Sequence, residues 1–200
     1  MFRIDGVLYR MLDKAVDFFF LNVIWILLCI PIITIFPATV AMFGVIRQWV
    51  RKEDVPVFNS FFKLFKENFK KGFMAGIIWF GLAYLLYFNI TVSLQMEGIL
   101  KLFMLSILIS FCILFILLSI FLLPVIVQYE MRLGSLIKNS LLLSVSQLKV
   151  SLLSLMIILT ALSITYLIPV MIVFIWSISA YGIYSLCDQA FKKVELMANL

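Results

Sequence analysis

Lys63, Lys66, Lys70 and Lys71 interleave with Phe62, Phe65 and Phe69 in the stretch SFFKLFKENFKKGF, Ser60 to Phe73. Apolar residues at three- and four-residue spacing share one helix face, and the lysines with Glu67 fill the rest. The chemistry this pattern offers is adhesion: phenylalanine in an acyl boundary or protein groove, lysine on anionic headgroups or an acidic surface. The segment, about 59–72, reads as a basic amphipathic inner-leaflet helix, with Asn59 or Ser60 as its cap. Its alternative use is docking of a partner. Nucleic acid is not expected, because the face opposite the lysines must lie in lipid or protein.

A second group is Pro31, Thr34, Pro37 and Thr39 in PIITIFPATVAMFGV, Pro31 to Val45. Two helix breakers six residues apart, at the end of an apolar run, predict a turn. Pro37 suits the first turn of a following helix, where its missing N–H is not needed. Thr34 is placed to cap that helix through its hydroxyl oxygen. Irregular backbone at membrane depth survives where protein or water satisfies it, so the turn is expected to be covered by other helices or to face a cavity.

Bond-making chemistry has few candidates. There is no histidine, which removes the commonest general base and transition-metal ligand. Residues 73–92, 102–127 and 150–186 hold no Asp, Glu, Lys or Arg, so no intramembrane charge marks a proton or ion path. Cys29, Cys112 and Cys187 lie far apart and read as buried apolar thiols. Hydroxyls and amides in the apolar runs, such as Asn22, Ser119 and Thr160, read as interhelical packing groups. Gly72 and Gly76 form a GxxxG packing signal. An enzyme is not expected, and neither is a cofactor or metal.

The elements that must position these groups follow from composition. Of the 200 residues 65% are hydrophobic and 13% charged, against about half and a quarter in a soluble domain. The three charge-free blocks each suffice to cross a hydrocarbon core of about 30 Å. The fold class is all-α, a polytopic helical membrane protein forming one membrane domain over 1–200. Mixed-sign charges before the first apolar run, and no small-residue cleavage site after it, argue for a retained span rather than a cleaved signal.

Seven basic residues fall in 47–71 (Arg47, Arg51, Lys52, Lys63, Lys66, Lys70, Lys71), three in 128–149, and Lys192 and Lys193 in the tail. Cytoplasmic loops carry the excess of Lys and Arg, so these three regions are assigned inside, with 93–101 and the region near Tyr166 outside. The segments are about 18–30, 37–51, 73–92, 102–127, 150–168 and 169–186, the last two split at Pro169. Leu133 to Lys149 reads as a further cytoplasmic amphipathic helix, capped by Ser135, with Leu136, Ile137, Leu141, Val145 and Leu148 on one face. If the first proline pair marks a turn, there are six membrane segments, both ends lie inside and Met1 is cytoplasmic. If it marks a kink in one crossing, there are five.

Asn22 and Trp25, then PIITIFPAT (Pro31 to Thr39), VFNSFFKLFKENFKK (Val57 to Lys71) and the later LGSLIKNS (Leu133 to Ser140), resemble the YesL family of bacterial membrane proteins, over most of the chain. The resemblance implies a domain of unknown function whose members are often encoded beside carbohydrate ABC transporters. It therefore implies a non-enzymatic accessory of such a transporter or of its regulation, multi-pass in the bacterial cell (inner) membrane, with ABC transporter subunits and the lipid bilayer as partners; the charge count places the C-terminus in the cytoplasm. The loop signature of complete ABC permeases, EAA with a following glycine, is absent. A small transporter or channel subunit in its own right is the competing reading, motivated by the broken hairpin.

Overall fold

A computed structural model describes the backbone of residues 4–198 and the side chains of residues 12–196. Met1, expected in the cytoplasm, lies outside the described residues. Among the described residues seven α-helices follow one another: α1 (Ile4–Cys29), α2 (Ile35–Val50), α3 (Val57–Leu94), α4 (Ile99–Gln128), α5 (Leu133–Ser146), α6 (Leu148–Leu167) and α7 (Ile172–Ala198). No strand occurs among the described residues. Among the described residues five segments are long and apolar enough to cross a membrane: Ile32–Val50, Val57–Leu94, Ile99–Gln128, Leu148–Leu167 and Pro169–Leu196. The protein is an all-α polytopic membrane protein. Helices meet this demand because each satisfies its own backbone groups, which lipid cannot do.

The first proline pair makes a hairpin. Trp25 Nε1 donates to Thr39 Oγ1 at 3.1 Å, and the Phe18 and Trp49 rings lie 5.0 Å apart. These two pairings run in opposite senses along α1 and α2, so the helices are antiparallel and not one kinked rod. The apolar part of α1, Phe18 to Cys29, is about 18 Å long, short of a full crossing.

α2 forms the centre. Ala38, Val40, Ala41, Val45 and Ile46 are fully buried, and α1, α3, α4 and α7 all pack on it. α3 runs antiparallel to α2 at close range. A Cβ added at Gly72 would lie 3.0 Å from the Pro37 Cα, and one at Gly76 2.8 Å from the Phe36 Cβ. Small residues let backbones approach where lipid supplies no hydrophobic drive, so the GxxxG pair is used for packing against the α2 N-terminus.

The remaining helices close around this pair. Trp79 Nε1 donates to Ser119 Oγ at 2.7 Å, tying α3 to α4. Asn22 Nδ2 donates to the Ile172 carbonyl at 2.8 Å, and Ser177 Oγ to the Phe18 carbonyl at 3.0 Å, tying α1 to α7. The break between α6 and α7 falls at Ile168–Met171, where Pro169 opens a single 3₁₀ turn as expected. α7 then continues to Ala198, well past the predicted end at 186. Pro124 is buried inside α4 without ending it.

Two expected helices differ in extent. The Phe/Lys segment is not a separate helix of 59–72. It is the first half of α3, a single helix of 38 residues, about 57 Å long. No breaker stands between Lys71 and Phe73, and Gly72 is held helical by its contact with α2. The helix starts at Val57 behind Pro56, whose extended backbone serves as N-cap, so Asn59 and Ser60 lie inside it and cap nothing. α5 likewise starts at Leu133 after Arg132, leaving Ser135 within the first turn. The buried stripe of α5 is Leu136, Ser140 and Ser144, while Val145 and Leu148 are exposed. Serine hydroxyls bonded back to their own helix, as Ser140 Oγ to the Leu136 carbonyl at 2.7 Å, allow the closer contact that leucine would prevent.

Candidate functional site

The predicted adhesive residues are all helical, and the structure divides them. Lys63, Lys66, Phe69 and Lys70 are exposed, while Phe62, Phe65 and Lys71 are half-buried. The ring most covered is Phe61, which the spacing argument left aside: it is fully buried against the α2 core. Phe61, Phe65, Phe69 and Phe73 form a ladder along α3, with centroids 6.3, 5.4 and 6.2 Å apart. The apolar side of this segment is thus partly answered by protein. What it presents outward is the lysine face, flanked by Phe58 and Phe69.

The turn also departs from expectation. The break lies at Ile30 to Thr34, with a 3₁₀ turn over Ile32–Thr34, and α2 begins at Ile35. Pro37 is therefore the third helical residue. Thr34 is the N-cap residue, but its hydroxyl makes no cap bond. Its backbone is helical rather than extended, which aims the side chain away from the α2 amides, and the amide a cap would reach at the third position is a proline. Instead the single Thr34 hydroxyl proton lies between two acceptors, the Leu28 carbonyl and, at 2.7 Å, the Pro31 carbonyl, closing the end of α1. Thr39 Oγ1 donates to the Ile35 carbonyl at 2.7 Å while accepting from Trp25.

Nor is the turn covered. Ile30, Ile32 and Ile33 are 73%, 73% and 66% exposed. The 3₁₀ bond from the Thr34 amide to the Pro31 carbonyl and the Thr34 hydroxyl satisfy the backbone locally, so no further helix is needed over it. Beside it opens a groove of about 310 Å³ lined by Ile32, Ile33, Phe36, Phe73, Ile77 and Phe80.

The densest polar arrangement joins residues no motif singled out. Arg47 Nε donates to Gln128 Oε1 at 3.2 Å, Arg51 Nη2 to the same oxygen at 3.1 Å, and the Tyr184 hydroxyl to it at 3.0 Å. The two arginine nitrogens are thus within about 6 Å of one another, where two positive charges repel by roughly 1–3 kcal/mol near a protein surface. Arg47 is in the last turn of α2 and Arg51 is its C-cap residue, at the helix end whose dipole favours cations. One turn beyond Tyr184, Asp188 is 5% exposed and pairs with Lys192 at 2.6 Å. Tyr129 donates to Glu195 Oε1 at 3.2 Å. Burial, then the Glu195 carboxylate, pushes the Tyr129 phenol up to about 12.

This cluster brings the C-terminal ends of α2 and α4 onto the middle of α7 at Tyr184, and the Tyr129–Glu195 bond continues the contact towards the end of α7. The signal in the sequence was spacing: Arg47 and Arg51 are four apart, as are Tyr184 and Asp188, so each pair shares a helix face. Nothing in the sequence says that the two faces meet at Gln128. Of the cysteines, Cys187 is buried as expected, and Cys29 and Cys112 are half-buried.

A family model described as "Protein of unknown function, DUF624" matches residues 18–90, the stretch holding the hairpin and most of α3. The uncharacterized protein YesL of Bacillus subtilis (strain 168) is 28% identical over 138 residues, 67% of this chain and 65% of YesL, so the match spans just under two thirds of that relative. The uncharacterized protein YteU of the same organism is 30% identical over 155 residues, 74% of this chain and 69% of YteU. No solved structure matches the chain. With the proline hairpin and the Phe/Lys helix in place, and with YteU matched across most of both chains, this protein belongs to the YesL-like family of proteins of unknown function.

Proposed function

We infer that this chain is a non-catalytic accessory of a carbohydrate ABC transporter in the bacterial inner membrane, with its C-terminus cytoplasmic. The observation that carries the reading is the first half of α3. Its apolar side is seated on α2 through Phe61, Leu64 and Phe65, which leaves Lys63, Lys66 and Lys70 exposed on a helix that cannot swing independently of the bundle. A rigid cationic face of this kind suits an acidic surface on a partner, where charge complementarity selects and orients. The carbohydrate assignment rests on the family resemblance.

The alternative, a transporter or channel subunit, is less well supported. A sugar site needs placed hydrogen-bonding groups, and the groove beside the turn is lined by apolar side chains. A photo-crosslinking residue at Lys66 or Lys70 in native membranes is expected to capture a transporter subunit. Saturable sugar flux in liposomes holding this protein alone would overturn the accessory reading in favour of the alternative.

A further inference from the structure

The two arginines at the end of α2 hold more donors than the described residues answer. A guanidinium carries five N–H donors and no acceptor. Arg47 and Arg51 each place one on Gln128 Oε1, which Tyr184 also uses. An amide oxygen has two lone pairs, so three donors already exceed its capacity. Asp188, on the turn after Tyr184, is taken by Lys192. Among the described residues no carboxylate lies within ion-pair distance of either arginine. Two adjacent positive charges thus converge from one helix onto a neutral oxygen of another, with most of their donors unassigned.

Their position narrows the ligand. Arg47 is in the last turn of α2, Arg51 caps it, and Gln128 is the last residue of α4. These are the ends of two segments long and apolar enough to cross a membrane, Ile32–Val50 and Ile99–Gln128, and the end of such a span is the level of the headgroups. The planar guanidinium matches the oxygens of a phosphate two at a time, and basic pockets between spans at this depth take acidic headgroups. The lysines of α3 are a different case, since they line one exposed helix face without a shared acceptor or a second helix.

We propose that Arg47 and Arg51, positioned by Gln128 and Tyr184, bind the phosphate group of an anionic ligand, either the phosphodiester of an acidic phospholipid or a soluble phosphate. The bound phosphate supplies a counter-charge that no carboxylate among the described residues provides, and it joins α2 to α4. It is independent of the accessory reading, since it needs no transporter.

The test uses the full-length protein in an uncharged detergent. Native mass spectrometry counts retained phosphatidylglycerol against phosphatidylcholine, and thermal unfolding is followed with each lipid or with inorganic phosphate. The wild type is expected to favour phosphatidylglycerol by roughly 10- to 30-fold, the effect of two surface cations. Arg47→Gln with Arg51→Gln should abolish that preference, while Lys66→Gln with Lys70→Gln should leave most of it. Gln128→Glu is the variant that does not depend on deleting charge: it sets a carboxylate between the guanidiniums, should unfold no earlier than wild type, and should lose the preference. Stabilisation by inorganic phosphate without any by phosphatidylglycerol assigns the site to a soluble phosphate. A wild type indifferent to both, or an arginine double variant that binds as wild type does, overturns the proposal.

Discussion

From Val57 to Gly76, α3 lies against α2, with Phe61 buried and two glycines closed on the Pro37–Phe36 corner. From Ile77 to Leu94 the same helix exposes Ile77, Tyr84, Leu85, Tyr87 and Phe88 and keeps the Trp79 bond to Ser119 near its base. Composition points the other way. The half with five charges between Lys63 and Lys71 is the packed one, and the half without a charge is bare. In water an uncharged apolar face would be expected inside. In a membrane, lipid covers it at no cost, and helices come together only where shape allows. Charge on α3 therefore marks where the helix leaves lipid, and glycine marks where it meets protein.

The largest effect expected from this contrast is on phenylalanine. Phe61→Ala should destabilise the protein by about 3–5 kcal/mol, the range for emptying a buried aromatic site. Phe88→Ala, the same change in the bare half at a ring 53% exposed, should stay within about 0.5 kcal/mol, as surface changes do. Unfolding in micelles reads both, and equal losses would break the distinction between the halves.

The glycines sharpen it. An alanine at Gly72 meets Pro37 backbone, which cannot give way as a flexible side-chain end can, and one at Gly76 meets the Phe36 Cβ. Each should cost about 1–3 kcal/mol by overpacking. Gly81 has nothing within 4 Å of an added Cβ. Gly81→Ala should therefore gain up to about 1 kcal/mol from helix propensity alone. The sign of the change, followed by thermal melting of all three variants, is the measurement.

The smallest effect concerns the charged end of the packed region. Burial, then Asp13 and Asp54, raise the Asp17 carboxyl above its ordinary 3.8, with Lys14 opposing. A raised folded value means that the protonated form's contribution is fully present below the unfolded value and is lost as pH rises through the folded one. Asp17→Asn should thus melt slightly above wild type at neutral pH, and the gap should close as pH falls towards 3.8. A gap that widens on acidification would reverse the assigned sign.

The sequence by itself determined the helical state, the existence of a hairpin at the first proline pair and the split at Pro169. These are local matters. A backbone in lipid must satisfy itself, so a long apolar run there is helical, and a proline, which removes one helical donor, marks where such a run can break, though Pro37 and Pro124 stay within helices. Only the tertiary structure decided that the Phe/Lys segment continues unbroken into a span, that Thr34 serves α1 rather than α2, and that Phe61 and not Phe69 is the buried ring. It alone brought Arg47, Arg51 and Tyr184 onto Gln128. The reason is that a one-dimensional pattern shows a face to be apolar without showing what covers it, because lipid tails and leucine side chains are alike as solvents. Convergence of polar groups from three helices depends on which helices neighbour one another, and no spacing within a single helix carries that.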